Sequence, residues 1–337
     1  HDDALAHHRR AIEAAPDHAE AHHNLSLVLL LQGKLEEGWA EYEWRLQSEE
    51  GTRQRPFPQA PWTGQPVDAK TVLVWGEQGV GDEVMFAGMV PDLVEAGATV
   101  ILEADPRLVA LFRRSFAGIE CIVKQDPPTA ETRRDGIDFQ APGGNLGRWL
   151  RPNLESFPGR DSYLVANADR AAALRDQYRD GTDDRLIGIA WVSKNKRIGP
   201  QKSMTLMELA QLTGIPGIRF IDLQYGDTAG ERAQFGDETG TSIVHDDSID
   251  QMADLDAFAA QVAAMDLVIS VSNTTVHFAG ALGVPAWVML NTVPLPCWLL
   301  EGDDSPWYPS ARLFRQSQAG VWADVIERIE DALRAFA

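Results

Sequence analysis

Short apolar segments alternate with helix-like segments along most of this chain, and the alternation runs twice. The strands predicted for the first run lie at 71–75, 99–103, 121–124 and 137–141. Those predicted for the second run lie at 185–192, 219–225, 242–245, 266–271 and 285–290. Strands that alternate with helices are typical of parallel βαβ units. The predicted fold class is therefore α/β, with two Rossmann-like domains and a ligand cleft between the carboxyl ends of their sheets.

Residues 1–48 have a different pattern, because they are helix-like throughout. Small residues recur in the same phase after 34 residues, as Ala4 and Gly38 illustrate. A 34-residue period of paired helices is typical of tetratricopeptide repeats. Because one and a half repeats cannot bury their own faces, we expect this segment to pack on the rest of the chain or to continue the repeats of a longer protein. A plain helical hairpin is the alternative.

The other boundaries follow changes in composition. Residues 49–70 are rich in proline and predict a linker. We then expect an N-terminal Rossmann-like domain at 71–170 and a C-terminal one at 171–320. The segment 321–337 is amphipathic, which predicts a closing helix.

The charge balance excludes two classes of partner. The chain has 30 Lys and Arg against 50 Asp and Glu, a formal net charge of −20. A general nucleic-acid binder or a protein that docks on anionic lipid needs a basic surface. No apolar run approaches the roughly 20 residues of a membrane-spanning helix. The two cysteines, Cys121 and Cys297, form no disulfide framework, so we expect a cytoplasmic protein. Because the chain opens on His1 rather than Met, we expect a piece of a longer protein.

The first candidate site is a glycine-rich turn between a predicted strand and a predicted helix. It contains Glu77, Gln78, Gly79, Gly81 and Asp82. Glycines let a backbone approach a ligand closely, and the start of a helix attracts anions. The carboxylate of Asp82 could act as a general base or could cap the helix.

An NAD-linked oxidoreductase is an alternative interpretation of this turn. Glu103 ends the next predicted strand, where dinucleotide-binding folds place the acid that binds ribose. The glycine order, however, is G-x-x-G-x-G rather than G-x-G-x-x-G.

The second candidate site is a basic loop after the strand at 185–192. The whole chain has six lysines, and three of them fall between Lys194 and Lys202. Such a local reversal of sign in an acidic chain favours a bound phosphate or diphosphate, with Ser193 beside it. A solvated basic loop is the alternative.

The third candidate site is the polar turn that follows the strand at 266–271. Asn273, Thr274 and Thr275 begin a predicted helix, and His277 lies in its first turn. Hydroxyls and backbone N–H groups at a helix start form an anion pocket. His277 is either part of that pocket or a structural histidine. No cluster has the spacing of metal ligands, and no P-loop or nucleophile elbow occurs.

Four stretches together resemble a known bacterial group, in which tetratricopeptide repeats precede a heptosyltransferase-like domain of glycosyltransferase family 9 with the GT-B fold. These stretches are LEEGWAEYEWR at 35–45, VWGEQGVGDEVMF at 74–86, SVSNTTVHFAGALGVPAWVML at 270–290 and DSPWYPSARLFRQ at 304–316. The resemblance implies an inverting transfer of sugar from a nucleotide-sugar, with no metal or other cofactor. It also implies that the N-terminal domain holds the acceptor and the C-terminal domain the donor.

The resemblance implies roles for particular residues. Asp82 matches the proposed base of the family, and Lys194 is the nearest match to a lysine that meets the donor phosphate. The turn at 273–275 matches the segment that cradles the diphosphate. Gln224 and Tyr225 would lie near the nucleoside by position.

A further resemblance is to transferases that modify flagellin, in which the repeats recognise the protein acceptor. It implies a Ser or Thr hydroxyl as acceptor and a CMP-linked nonulosonic acid as donor, with a diphosphate donor as the alternative. Two departures stand against the family pattern: Ser272 replaces an aspartate, and the segment 295–298 keeps only the Trp298 of a P-D-W-R-W run. They motivate a third hypothesis, a non-catalytic scaffold that binds protein or nucleotide.

Overall fold

The computed structural model describes residues 2–48 and 51–337, and the chain divides into two compact units. Unit 1 comprises the chain up to Gly159 together with Leu295–Leu300, and unit 2 comprises Arg160–Pro294 and Glu301–Ala337. His1 of the expected repeat segment and residues 49–50 of the expected linker lie outside the described residues.

Unit 1 begins with a helical segment, which we define as residues 2–48. Its helices are α1 (Asp2–Ala14), α2 (Ala19–Leu31) and α3 (Leu35–Tyr42), followed by a 3₁₀ helix at Glu43–Leu46. Helices α2 and α3 pack closely at Gly38, where a Cβ atom would lie 2.8 Å from the Leu30 side chain. The small residue that the repeat pattern indicated therefore permits close contact between two helices.

The remainder of unit 1 is built on a five-stranded parallel sheet. Its strands are β1 (Ala60–Pro61), β2 (Thr71–Trp75), β3 (Thr99–Ala104), β4 (Glu120–Val123) and β5 (Phe139–Pro142). Their order is β1-β5-β2-β3-β4. The two-residue strand β1 lies in the segment expected to be a linker, where Trp62 is buried and Phe57 packs on the sheet.

Four α-helices accompany this sheet among the described residues of unit 1. They are α4 (Val80–Ala87), α5 (Val90–Glu95), α6 (Val109–Ser115) and α7 (Leu146–Leu150). Short 3₁₀ helices lie at Glu131–Arg133, Gly143–Asn145, Leu154–Ser156 and Pro296–Trp298. The apolar pattern predicts a single helix from about 82 to 96, and this prediction is wrong. Pro91 has no N–H to donate to the carbonyl four residues earlier, so the helix ends and restarts.

Unit 2 contains a second five-stranded parallel sheet. Its strands are β6 (Arg185–Ala190), β7 (Ile218–Asp222), β8 (Leu267–Val271), β9 (Ala286–Leu290) and β10 (Ala311–Arg315). Their order is β10-β9-β8-β6-β7. The strand predicted at 242–245 is reduced to one bridge between Val244 and Ile221, and β10 was not predicted as a strand.

The α-helices of unit 2 among the described residues lie between its strands and at its two ends. They are α8 (Ala168–Arg179), α9 (Ala229–Thr239), α10 (Leu255–Ala263), α11 (Thr274–Leu282) and α12 (Ala323–Phe336). Within the described ranges, no helix is both long enough and apolar enough to cross a bilayer.

Two further 3₁₀ helices lie in unit 2, at Pro200–Lys202 and Leu206–Gly214. The apolar pattern predicts an α-helix at 205–212, but the structure forms a 3₁₀ helix there. The buried residues Leu206, Leu209 and Leu212 are spaced by three, which places them on one face of a helix with three residues per turn.

Candidate functional site

Each sheet has one point where the strand order reverses. In unit 1, β2 lies between β3 and β5, and in unit 2, β6 lies between β7 and β8. The loops that leave two such neighbouring strands diverge and open a crevice at the carboxyl ends of the strands. Ligands of open α/β sheets bind in this crevice. The glycine-rich turn follows β2, the basic loop follows β6 and the polar turn follows β8, so the candidate residues lie at these two points.

In unit 2, the basic loop is held against the loop after β7. The backbone N–H of Lys194 donates to the Tyr225 hydroxyl at 3.0 Å, and the Lys194 ammonium lies 5.6 Å from the centre of the Tyr225 ring. Gly226 gives that ammonium room, since a Cβ atom there would lie 2.0 Å from Lys194 Nζ. Lys194, predicted to bind the donor phosphate, is therefore in contact with Tyr225, predicted to lie near the nucleoside.

Gln224 is buried and its side chain is engaged by the protein backbone. Its Oε1 accepts hydrogen bonds from the N–H groups of Trp191 at 3.0 Å and Val192 at 2.7 Å. The side chain therefore shapes the loop after β6, a use that sequence position alone did not indicate.

Asn273 joins the loops after β6 and β8. Its Oδ1 accepts from the N–H of Thr275 at 2.9 Å, which caps α11, and its Nδ2 donates to the carbonyl of Val192 at 3.2 Å. Thr274 is half-buried and begins the helix, while Thr275 is fully buried. The Thr275 hydroxyl has no hydrogen-bond partner among the described residues.

Lys202 and His277 meet beside the start of α11. Both are about 6% exposed, and His277 Nδ1 shares a 2.9 Å hydrogen bond with the Tyr308 hydroxyl. Burial, and then the charge of Lys202, lower the pKa of His277 to about 3. His277 is therefore neutral at physiological pH, and the positive charge here belongs to Lys202.

Ser193 is tied to the same region, because its N–H donates to the Ser203 hydroxyl at 2.9 Å. A lysine ammonium, a helix N-terminus and small hydroxyl side chains thus lie around the carboxyl ends of β6 and β8. This arrangement favours an anion, because the partial positive charge of a helix start adds to the lysine charge.

In unit 1, Asp82 lies at the start of α4. The helix begins at Val80, two residues earlier than predicted, and its N-cap is Gly79. Asp82 Oδ2 accepts from the Gly79 N–H at 3.1 Å, so this half-buried carboxylate reaches back over the first turn.

Glu77 does not face solvent. Its carboxylate is 2% exposed and accepts hydrogen bonds from Arg45 Nε at 2.9 Å and from the Gly144 N–H at 2.8 Å. Arg45 is fully buried and comes from the helical segment. Sequence reasoning did not identify Arg45 as part of this site, although it belongs to the stretch at 35–45 that carries the family resemblance.

The glycines of the turn differ in their surroundings. A Cβ atom on Gly76 would lie 2.4 Å from the carboxyl carbon of Glu83, a buried side chain that accepts from Lys124 Nζ at 2.7 Å. Gly79 and Gln78 are exposed, whereas Gly81 is half-buried at the start of α4.

Glu103 has a partner that weakens the dinucleotide interpretation. It is fully buried and forms a two-pronged ion pair with Arg55, with one contact at 3.2 Å between Arg55 Nη2 and Glu103 Oε1. A carboxylate held in this way is not presented to a ribose.

Two further features bear on ligands. Within residues 2–48 and 51–337, no group of three His, Cys, Asp or Glu residues is placed to hold a metal ion. Unit 2 also has an open cavity of about 620 Å³ beside the basic loop, lined in part by Ser203, Asn291, Gln316 and Trp322.

No family model matches this chain. It is 35% identical over 326 residues to Protein FlbA of Caulobacter vibrioides, an alignment that covers 92% of this chain and 54% of that protein. The chain therefore spans about half the length of this curated relative.

Two solved structures resemble this fold over about four fifths of the chain. One is a glycosyl transferase of family 9 from Veillonella parvula, with a TM-score of 0.59, 13% identity, and coverage of 81% of this chain and 98% of that one. The other is the ADP-heptose LPS heptosyltransferase II of E. coli, with a TM-score of 0.57, 14% identity, and coverage of 79% and 98%. The chain has the fold of these two enzymes. The predicted α/β class with two parallel sheets is thus confirmed.

Proposed function

We propose that this protein is a glycosyltransferase that moves a sugar from a nucleotide-sugar donor to an acceptor hydroxyl. The observation that carries the proposal is the cationic arrangement of Lys202, Asn273 and the start of α11 at the strand reversal of unit 2. It suits the phosphate of a nucleotide in a fold shared with a heptosyltransferase.

On the donor side, Lys194 and Lys202 would neutralise the charge that grows on the leaving phosphate. The N-terminus of α11, with Thr274 and Thr275, would add backbone and hydroxyl donors. The neutral state of His277 supports a role as a hydrogen-bonding group rather than a second cation. Tyr225 would lie at the nucleoside end. Gln224 would act there by holding the loop after β6.

On the acceptor side, Asp82 would take the proton of the acceptor hydroxyl. The hydroxyl oxygen then forms a bond to the anomeric carbon while the bond from that carbon to the phosphate oxygen breaks, and its electron pair leaves with the phosphate. This single displacement inverts the anomeric configuration. Exposed Gln78 and Gly79 would lie beside the acceptor, and the reaction would need no bound metal.

For the acceptor itself, we propose a Ser or Thr hydroxyl of a protein such as flagellin, recognised through tetratricopeptide-type helices at 1–48. The pairing of α2 and α3 through Gly38 supports this repeat geometry. The donor would be either a CMP-linked nonulosonic acid or a sugar on a nucleoside diphosphate. The proposed compartment is the cytoplasm.

The variant Asp82→Asn tests the mechanism. It removes the base but keeps a side chain that can still reach the Gly79 N–H through its oxygen, so we expect turnover to fall at least a hundredfold. Donor affinity, measured by calorimetry, should change less than twofold. Unchanged turnover would remove Asp82 from this role. EDTA should leave the wild-type rate unaltered.

The class of ligand is tested by thermal denaturation with nucleotides, since a ligand that binds only the folded state raises the unfolding temperature. Stabilisation by ADP, UDP, GDP or CMP, together with release of nucleotide from the matching sugar donor, supports the transferase. Stabilisation with no turnover of any donor would favour the non-catalytic scaffold. Stabilisation by NAD alone would favour an oxidoreductase.

A further inference from the structure

We infer that Tyr42 and Arg45 of the helical segment are positioning residues for the glycine-rich turn, and that they hold Asp82 in its working place. This inference rests on the proposed function, because Asp82 is the base of that reaction. It assigns the helical segment a part in the reaction itself, separate from any recognition of a protein acceptor.

Arg45 supplies the first link. Its guanidinium is completely buried, donates to both carboxylate oxygens of Glu77, and also donates through Nη1 to the carbonyl of Tyr42 at 2.9 Å. A buried charge is retained at acceptable cost only when its partner is well placed. Glu77 is therefore fixed by a residue that lies 32 positions earlier in the chain.

Glu77 also links the turn to the loop after β5, at the strand reversal of unit 1. It also accepts from the N–H of Gly144, which follows β5. A Cβ atom on Gly144 would lie 2.8 Å from Glu77 Oε1 and 3.0 Å from Arg45 Nη2, so the backbone approaches both charged groups closely. The loops after β2 and β5 are thereby held together by one carboxylate.

Tyr42 supplies the second link. Gln78 has a φ of 59°, a left-handed conformation that is unfavourable for a non-glycine residue. Its side-chain Nε2 donates to the Tyr42 hydroxyl at 2.7 Å. A strained residue persists when its surroundings restrain it, and here the restraint is a hydrogen bond from the helical segment.

The restrained turn leads directly to Asp82. Gly79 follows Gln78, and its N–H donates to Asp82 Oδ2. Burial raises the pKa of the Tyr42 hydroxyl, to which the negative charges of Glu77 and Asp82 also contribute. The hydroxyl therefore remains protonated and close to the carboxylate that the turn carries.

The experiment compares Tyr42→Phe, Gln78→Leu and the double variant in the full chain. Each single change removes the same hydrogen bond, so we expect kcat for nucleotide release to fall about three- to tenfold with each, while the donor KM stays within twofold. The double variant should be no slower than the slower single variant, because the two residues act through one contact. Independent, multiplying losses would overturn the inference.

Trp39→Phe is the matched control. The Trp39 indole donates to the carbonyl of Arg151 at 2.9 Å, which is also a buried hydrogen bond between the helical segment and the rest of unit 1. The Trp39 ring packs edge-on against Tyr42, with ring centroids 5.5 Å apart, and phenylalanine keeps an aromatic ring there while it removes the bond to Arg151. We expect the kcat of Trp39→Phe to remain within twofold of wild type. Both proteins are assayed at temperatures at which their free energies of unfolding are equal. An equal loss of kcat in this control would show that general loosening is the cause.

A second measurement separates this inference from the proposed function. Hydrogen–deuterium exchange of peptides that cover 76–83 should be faster in Tyr42→Phe and Gln78→Leu than in wild type, and unchanged in Trp39→Phe. Arg45→Lys, which loses the two-pronged contact but keeps the charge, should also increase exchange there. If wild type transfers no sugar but exchange behaves in this way, only the proposed function fails. Unaltered exchange at 76–83 would overturn the positioning role.

Discussion

The buried His277 makes the stability of unit 2 depend on pH. Its pKa in the folded protein is lowered to about 3, whereas an unfolded histidine titrates near 6.5. Below pH 6.5 the unfolded chain therefore binds a proton that the folded chain refuses. The contribution of the neutral His277 to the free energy of unfolding is therefore fully present above pH 6.5 and is lost as the pH falls towards 3.

We therefore predict that His277→Gln reduces the acid sensitivity of unit 2. Glutamine stays neutral and can still meet the Tyr308 hydroxyl, so between pH 6.5 and 4 its free energy of unfolding should fall by a few kcal/mol less than that of wild type. Urea unfolding at several pH values measures this. A parallel pH dependence in both proteins would contradict the buried, neutral histidine.

At the residue level, the sequence predicts candidates that belong to local patterns. Asp82, Lys202, Asn273 and His277 were predicted because a strand, a turn and a helix start are local patterns. The partner of Glu77 was not found, because Arg45 is distant in sequence and no local spacing relates the two.

At the scale of elements, α11 depends on a cap that also joins two loops. Asn273→Ala removes the bond to Thr275 and the bond to Val192, so we predict a loss of about 1 to 2 kcal/mol of stability and a nucleotide affinity at least fivefold weaker. Thermal unfolding and calorimetry measure the two effects.

Asn167→Ala is the control for this prediction. Asn167 caps α8 by accepting from the Arg170 N–H at 3.0 Å, far from the basic loop in sequence and without a bond to it among the described residues. It should cost comparable stability and leave nucleotide affinity unchanged. Equal affinity loss in both variants would mean that stability alone controls binding.

Elements were predicted well where the pattern is local and less well where tertiary packing decides. The start of α11 matched the prediction, because the N-cap Asn273 marks it. Strand β10 was missed, since its apolar residues follow a long irregular segment, and the strand is formed by pairing with β9. The break between α4 and α5 could have been predicted from Pro91.

At the scale of the whole molecule, an anionic ligand must bind to a protein with a net charge of −20, so the salt concentration affects its affinity. At about 0.1 M salt the Debye length is roughly 10 Å, so distant acidic groups are largely screened, whereas a lysine and a bound phosphate attract each other within that distance. We predict that the affinity for a nucleoside diphosphate falls several-fold between 0.1 and 0.5 M NaCl. Lys194→Ala should bind more weakly and show a shallower dependence on salt.

Lys70→Ala serves as the charge-matched control. Lys70 is partly exposed in unit 1, where it pairs with Asp138 at 3.1 Å. Its removal changes the net charge by the same amount and should leave both the affinity and the salt dependence as in wild type. If the two lysine variants behave alike, the net charge rather than the basic loop governs binding.

The segment Leu295–Leu300 restricts where the chain can be cut or joined to a relative. These six residues belong to unit 1, where the 3₁₀ helix Pro296–Trp298 packs on α2 and Trp298 is fully buried, although the chain on both sides belongs to unit 2. No single cut therefore yields two whole units. A gene exchange that replaced only residues 160–337 would bring a foreign segment into the packing of α2. Exchanges of unit 2 between relatives should therefore give folded proteins when residues 295–300 are inherited with the N-terminal part.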